Sequence, residues 1–84
     1  MDRTEIEQKV KEIVALQFGL SLNEIEMGHN IVSDLNADSL DSVELVMCVE
    51  DRFNISIQDE DAERLLTIQS IVDFLEKQFV EKSD

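Results

Sequence analysis

Apolar residues return at the spacing of an α-helix in three separate stretches, and this more than anything else limits what the chain can fold into. Ile6, Val10, Ile13, Val14 and Phe18 form one stripe, and Ile68, Ile71, Val72, Leu75 and Phe79 form another. The segment from Asp38 to Phe53 carries a third set. Each stripe needs a partner to be buried against, and amphipathic helices find one in each other. Only Ile55-Ser56-Ile57 alternates as a strand does; with no partner run, it reads as an extended connector. The expectation is an all-α fold: a small four-helix bundle of three longer amphipathic helices and one short one, with a long first loop and residues 1–84 as a single domain.

Local signals set the expected boundaries. Thr4 with Glu7 fits a capping box opening the first helix, and Gly19 is placed to end it. Residues 19–38 hold Gly28, Asn30, Ser33 and Asn36 without sustained periodicity, so they read as a structured loop pinned by Ile25, Ile31 and Leu35. The second helix should run from about Asp38 to Phe53, with Asn54 as its stop. A short helical turn is expected near Asp59 to Leu65. Thr67 then caps the last helix, and the polar tail from Glu81 to Asp84 should be frayed.

Charge narrows the function. Twenty Asp and Glu against seven Lys and Arg give a formal net charge of -13. Nucleic acid is excluded as a partner, because phosphate binding needs Lys and Arg. Basic protein surfaces or divalent cations are favoured instead, through fast, salt-sensitive encounters. The 43% hydrophobic content supports one modest core and marginal stability, and its regular spacing argues against disorder. The single cysteine, Cys48, forbids an intramolecular disulfide and fits a reducing compartment. The charged start Met1-Asp2-Arg3-Thr4-Glu5 lacks the apolar segment of a secretory signal, and no apolar run approaches the ~20 residues that cross a bilayer. A monomer in the bacterial cytoplasm is expected, or in an organelle matrix or stroma if the chain is a mature organelle protein, with no membrane insertion.

Projected at about 100° per residue, the second helix has two apolar faces. Ser42, Leu45, Val46, Val49 and Phe53 share one arc wide enough to face a core. Leu40, Val43 and Met47 form a narrower stripe elsewhere, with Glu44 and Asp51 along one edge and Glu50 along the other. Periodicity leaves two readings of that stripe: peripheral core under the long loop, or a docking strip of apolar anchors ringed by carboxylates. Met suits docking, because its flexible thioether adapts to different partners. Cys48 projects towards the exposed side and has no second Cys or nearby His at ligand spacing.

Ser39 stands where the long loop becomes the second helix. Asp38 can cap that helix, which leaves Ser39 in the first turn with its hydroxyl towards solvent. The unpaired N–H groups and positive dipole end of a first turn favour an attached phosphodiester, typically by ~0.3–1 kcal/mol. A serine in this position is, for most chains, simply a capping residue.

The surrounding residues speak more specifically. Asp34-Leu35-Asn36-Ala37-Asp38-Ser39-Leu40-Asp41-Ser42-Val43-Glu44-Leu45-Val46-Met47 strongly resembles the 4′-phosphopantetheine attachment motif of acyl carrier proteins. The resemblance continues through Glu50-Asp51-Arg52-Phe53 and Ile57-Gln58-Asp59-Glu60-Asp61-Ala62-Glu63, and covers essentially the whole chain. It implies a carrier rather than an enzyme. A holo-carrier synthase would transfer phosphopantetheine from coenzyme A to Ser39, and the arm's thiol would hold fatty acyl groups as thioesters. It further implies that Asp38, Leu40, Asp41, Val43, Glu44, Met47, Glu50 and Asp51 meet fatty acid synthesis enzymes through basic patches on them. The stripe found by periodicity is the same surface, which favours docking. Carriers for polyketide, lipid A-type or aminoacyl biosynthesis are the alternative within the class.

Three departures from the family pattern stand out. Asn36 occupies a position that is usually Gly, and Asn is the next best residue at positive φ. Gln58 replaces the Pro that usually opens the short third helix, removing a preset φ at an expected N1 position. Arg52 stands where an acidic residue is common, which would weaken binding to some partners.

Two other chemistries compete for the same residues. Asp34-x-Asn36-x-Asp38 matches the first ligands of an EF-hand loop, but Ser39 fills the invariant Gly position and Leu45 that of the bidentate Glu. No dedicated metal site is expected, only weak calcium or magnesium binding that relieves self-repulsion. His29, the only histidine, invites a hydrolase reading with Ser39, yet nothing supplies an oxyanion hole or an orienting partner. It reads as a loop residue.

Overall fold

The computed structural model describes residues 2–82. Among them the chain forms α1 (Arg3–Phe18), α2 (Ser39–Phe53), α3 (Asp59–Ala62) and α4 (Ile68–Lys82). No named strand occurs among the described residues, and Ile55-Ser56-Ile57 connects α2 to α3 without regular secondary structure. α1 packs against both α2 and α4, so it is the central support of the bundle.

The apolar stripes account for this packing. Ile6, Val10, Ile13 and Val14 of α1 meet Leu45, Val49 and Phe53 of α2 and Ile68, Ile71, Val72 and Leu75 of α4 in one core. Burying such side chains contributes roughly 1.5–3 kcal/mol each before chain entropy is charged against it. Phe18 is half-buried at the edge of that core, and Phe79 meets Phe53 with ring centroids 5.9 Å apart. On the surface, Arg3 ties the start of α1 to the middle of α4. Its guanidinium lies 2.9 Å from Asp73 and 3.4 Å from Glu76. The Asp73 hydrogen bond and the charges of both carboxylates raise the Arg3 pKa above its ordinary value.

Helix ends follow the sequence signals in part, with corrections at α1, α3 and the end of α4. α1 is capped by Asp2, whose Oδ1 accepts the Glu5 N–H at 2.9 Å, and not by Thr4. Glu7, expected to reach back to Thr4, instead meets Arg3 at 3.2 Å. Asp2 wins because its carboxylate is well placed for the first free N–H groups and complements the positive helix end. α3 is shorter than the expected span to Leu65. Beyond Ala62 the bonds Arg64 N–H to Asp61 and Leu65 N–H to Ala62 tighten the chain, which turns so that Leu65 enters the core. Gln58 is the N-cap of α3 rather than its first helical residue. Other ends agree with expectation: Gly19 at φ 66° and Asn54 at φ 56° close α1 and α2, and Thr67 Oγ1 accepts the Ser70 N–H at 3.0 Å. α4 runs to Lys82, two residues into the expected tail; Ser83 and Asp84 lie outside the described residues.

The long loop is built as well as pinned. Ile25 and Ile31 are buried and Leu35 is half-buried, as expected, and Ala37 joins them. A 3-10 turn at Leu22–Glu24 was not visible in the sequence. Nor was the pairing of the loop with the start of α4, where Ile31 N–H donates to Leu66 O at 2.8 Å and Gln69 N–H to Met27 O at 2.9 Å. These bonds fix where residues 31–38 deliver the chain into α2.

Candidate functional site: the start and outer face of α2

Asn36 makes the turn that leads into α2. Its φ of 59° lies in the left-handed region, which Asn tolerates better than any other residue except Gly. Ala37 is buried and its N–H donates to Ile31 O at 2.8 Å, anchoring the last step before the helix. Asp38 then caps α2: its Oδ1 accepts the Asp41 N–H at 2.8 Å, and Asp41 Oδ2 accepts the Asp38 N–H at 3.2 Å. This reciprocal pair is a capping box with Asp in the place of the usual Glu.

Ser39 is the first residue of α2 and is exposed. The cap satisfies the N–H of Asp41, while those of Ser39 and Leu40 precede any intrahelical acceptor. A phosphodiester on the Ser39 hydroxyl would therefore meet free backbone donors and the positive end of the helix dipole. The residues present fit an attached phosphate.

The two faces of α2 separate as projected. Leu45, Val49 and Phe53 are buried, with Val46 and Ser42 half-buried beside them. Leu40 is 63% exposed, Val43 56% and Met47 59%. The long loop does not cover them, so they are not peripheral core. Asp51 and Cys48 are exposed. Glu44 is exposed too, with Oε2 accepting a hydrogen bond from Gln17 Nε2 at 2.9 Å. Arg52 lies 3.9 Å from Glu12 of α1, so its charge is turned partly towards the bundle.

Glu50 differs from the rest of the rim. Like Asp41 it is half-buried, but its Oε2 accepts the Ile57 N–H of the connector at 2.7 Å. It also borders an open cleft of about 460 Å³ between α2 and the α3 region. Val43, Val46 and Met47 line one wall of this cleft; Ile57, Ala62 and Leu65 are on the other, and Leu66 stands exposed nearby. Sequence periodicity gave no signal for this cleft, because its second wall comes from segments too short to be periodic.

The competing chemistries are not assembled. His29 Nδ1 accepts the Glu26 N–H at 3.2 Å, and its Nε2 lies 3.6 Å from the Glu26 carboxylate. The polar contacts of its side chain are thus within its own loop rather than at Ser39. Asp34 accepts the Asn30 N–H at 2.7 Å and Asp38 caps α2, so two of the EF-hand-like carboxylates serve the backbone. No group of three or more His, Cys, Asp or Glu side chains is arranged for a metal among the described residues. Among those residues, too, no helix is long and apolar enough to cross a membrane.

A helical bundle presenting one exposed serine at the head of an acidic helix is the arrangement of a carrier domain. Residues 8–75 match the family model described as "Phosphopantetheine attachment site". The chain is 53% identical over 72 residues to the acyl carrier protein of Buchnera aphidicola subsp. Baizongia pistaciae, covering 86% of this chain and 92% of that protein. Its fold superposes on the solved acyl carrier protein of Enterococcus faecalis with a TM-score of 0.77 at 39% identity, over 92% of this chain and 98% of the other. The chain belongs to the acyl carrier protein family. It is a carrier in fatty acid synthesis rather than an enzyme, and its prosthetic group is phosphopantetheine. As in its family, the enzymes of fatty acid synthesis and the synthase that attaches the arm are its partners.

Proposed function

We propose that Ser39 is the residue that carries the 4′-phosphopantetheine arm, and that Leu40, Val43 and Met47 dock the enzymes that load and use it. The acidic rim of Asp38, Asp41, Glu44, Glu50 and Asp51 completes that surface. The observation that carries this reading is the adjacency of an exposed helix-start serine and an uncovered apolar strip on the same helix. When bound, the arm supplies a thiol that holds acyl groups as thioesters. The protein's own contribution is to hold the Ser39 hydroxyl in solvent, to stabilise the phosphodiester charge with first-turn N–H groups, and to mark the approach with anchors and charge. Partners would meet the rim with Lys and Arg patches, so docking should weaken as salt rises.

The α2–α3 cleft suits the acyl chain itself. Each buried CH₂ contributes about 0.8 kcal/mol, so a medium-length chain offsets the cost of parting the walls. Acylated protein is therefore expected to melt higher and exchange amides more slowly than the unacylated form; identical behaviour would count against a cargo cleft. Residues 1–84 act as one domain, as a monomer, and in the cytoplasm if the source is bacterial. Millimolar calcium or magnesium is expected to raise the melting temperature by relieving the repulsion of a -13 chain, and an unchanged melt at fixed ionic strength would refute that.

The decisive experiment is intact-mass measurement after incubating the apo-protein with coenzyme A and a phosphopantetheinyl transferase. One arm should be added to the wild type and none to a folded Ser39→Ala protein. No gain in the wild type, or a gain that survives the substitution, would overturn the assignment.

A further inference from the structure

Five hydrogen bonds meet at Asn30, a half-buried residue of the long loop. Its side-chain Oδ1 accepts the N–H groups of Val32 at 2.8 Å and Ser33 at 3.0 Å. Its backbone O accepts those of Asp34 at 2.8 Å and Leu35 at 3.2 Å, and its own N–H donates to Asp34 Oδ2 at 2.7 Å. Asn30 thus caps a single turn of chain, as its short amide is suited to do. Its neighbours tie that turn to the start of α4: Ile31 N–H donates to Leu66 O at 2.8 Å, and His29 O accepts the Ile68 N–H at 3.2 Å. The bond to Val32 has the longest reach. Val32 N–H and Ile31 C=O belong to one planar peptide unit, so an acceptor that fixes the N–H also fixes the direction of the carbonyl. That carbonyl accepts the Ala37 N–H at 2.8 Å, the last anchor before α2. No side chain from Asp38 to Glu44 is buried, and Leu45 is the first of α2 to enter the core. Where Ser39 stands is therefore set by Ala37 on one side and by the Asp38–Asp41 cap on the other.

We propose that Asn30 is a positioning residue for arm attachment: through the Ile31–Val32 peptide its side-chain oxygen fixes Ala37, and with it the first turn of α2 and the Ser39 hydroxyl. Without that oxygen the N–H groups of Val32 and Ser33 lose their acceptor, and the Ile31 carbonyl is free to tilt away from Ala37. In the transfer, the Ser39 oxygen bonds to the phosphorus that carries the pantetheine. The pyrophosphate bond of coenzyme A breaks, adenosine bisphosphate leaves, and the hydroxyl proton passes to a base of the transferase. Such a displacement depends on the nucleophile being held in line, so a small shift of Ser39 slows it. Val43 and Met47 lie farther along α2, where Leu45 and Val49 hold the helix in the core. The loss should therefore fall on transfer and not on docking. The inference rests on the reading of Ser39 as the attachment residue.

Two measurements test this together: the kinetics of arm attachment by a phosphopantetheinyl transferase, read by intact mass, and amide exchange in the apo-protein, read by NMR. Asn30→Ala should lower kcat for attachment by about tenfold or more, with KM within about twofold of wild type. It should also accelerate exchange at Ala37 by about tenfold while the α1 and α4 core amides stay within about twofold. Asn30→Ser restores an oxygen that caps the turn, so it should recover most of both losses. Wild-type kcat in Asn30→Ala, or unchanged exchange at Ala37, would overturn the proposal. A loss of protection shared by the whole bundle would do the same, as would an Asn30→Ser protein no better than Asn30→Ala. If the wild type takes up no arm, the Ser39 reading fails and the positioning role fails with it. Exchange at Ala37 needs no arm, and normal loading of Asn30→Ala would refute the positioning role alone, so the two failures are told apart.

Discussion

The two faces of α2 are built from the same kinds of residue and do opposite work. On the inner face Leu45, Val49 and Phe53 are closed into the core with α1 and α4. On the outer face Leu40, Val43 and Met47 are more than half exposed, although nothing in their chemistry separates them from core residues. Hydrophobicity alone therefore says little about role on this helix. What separates the faces is whether another element of the chain arrives to cover them. α1 covers the inner face, while α3 is too short to close over the outer one. A chain of this size, with marginal stability, leaves three large apolar groups in water only at some cost in solubility. That cost is understandable if partners cover the strip in turn.

The largest effect should come from the inner face. Leu45→Ala leaves a cavity in a fully packed site and is expected to lower stability by about 2–5 kcal/mol, a large share of what a domain this small has. Urea denaturation measures it directly. Met47→Ala should change stability by less than about 0.5 kcal/mol in the same assay. Comparable losses from the two substitutions would erase the distinction between the faces.

The complementary measurement belongs to the outer face. Val43→Ala with Met47→Ala should leave the denaturation midpoint near wild type while lowering kcat/KM for arm attachment by about tenfold or more, the size expected when central apolar anchors are truncated. If modification by the transferase proceeds at the wild-type rate, the strip is not the surface that this partner reads.

Much of this division was legible in the sequence, because a helix of fifteen residues has enough turns for its two apolar arcs to be resolved. The Asp38 cap, the Asn54 stop and the Thr67 cap were legible for the same reason: each is a short-range signal next to a periodic segment. Features that depend on distant partners were not. The bonds from Ile31 to Leu66 and from Gln69 to Met27 join segments with no common pattern, and the Glu50–Ile57 contact turns a residue that looks like one more rim charge into a structural tie. The first helix start was misjudged locally, since Asp2 and Thr4 both satisfy the rules for a cap and only the geometry chooses between them.

Asn36 offers a smaller test, of how the outer face is delivered. Its left-handed turn sets where α2 begins and hence where Ser39 stands relative to the strip. Asn36→Ala should cost about 1 kcal/mol in the same urea assay, because a Cβ without a compensating polar side chain is disfavoured at φ 59°. Asn36→Gly should be neutral or slightly stabilising. Loss of stability in the Gly variant would mean that the Asn side chain does more than tolerate the turn.

The smallest effect concerns the wall that faces the strip. Gln58 has φ −72° as the N-cap of α3, already within the range that a pyrrolidine ring imposes. Its N–H precedes the helix, so helix hydrogen bonding loses nothing if that donor is removed. Gln58→Pro should therefore raise stability by about 0.4–1 kcal/mol, by restricting the unfolded chain. The gain should appear in the thermal midpoint with the rate of arm attachment unchanged, because neither Ser39 nor the outer face of α2 is altered. A destabilised Gln58→Pro protein would show that Ile57, which precedes it and holds the Glu50 contact, cannot adopt the extended backbone that a following proline demands. In that case the connector, and not the loss of proline at this position, sets how firmly the second wall of the cleft is held.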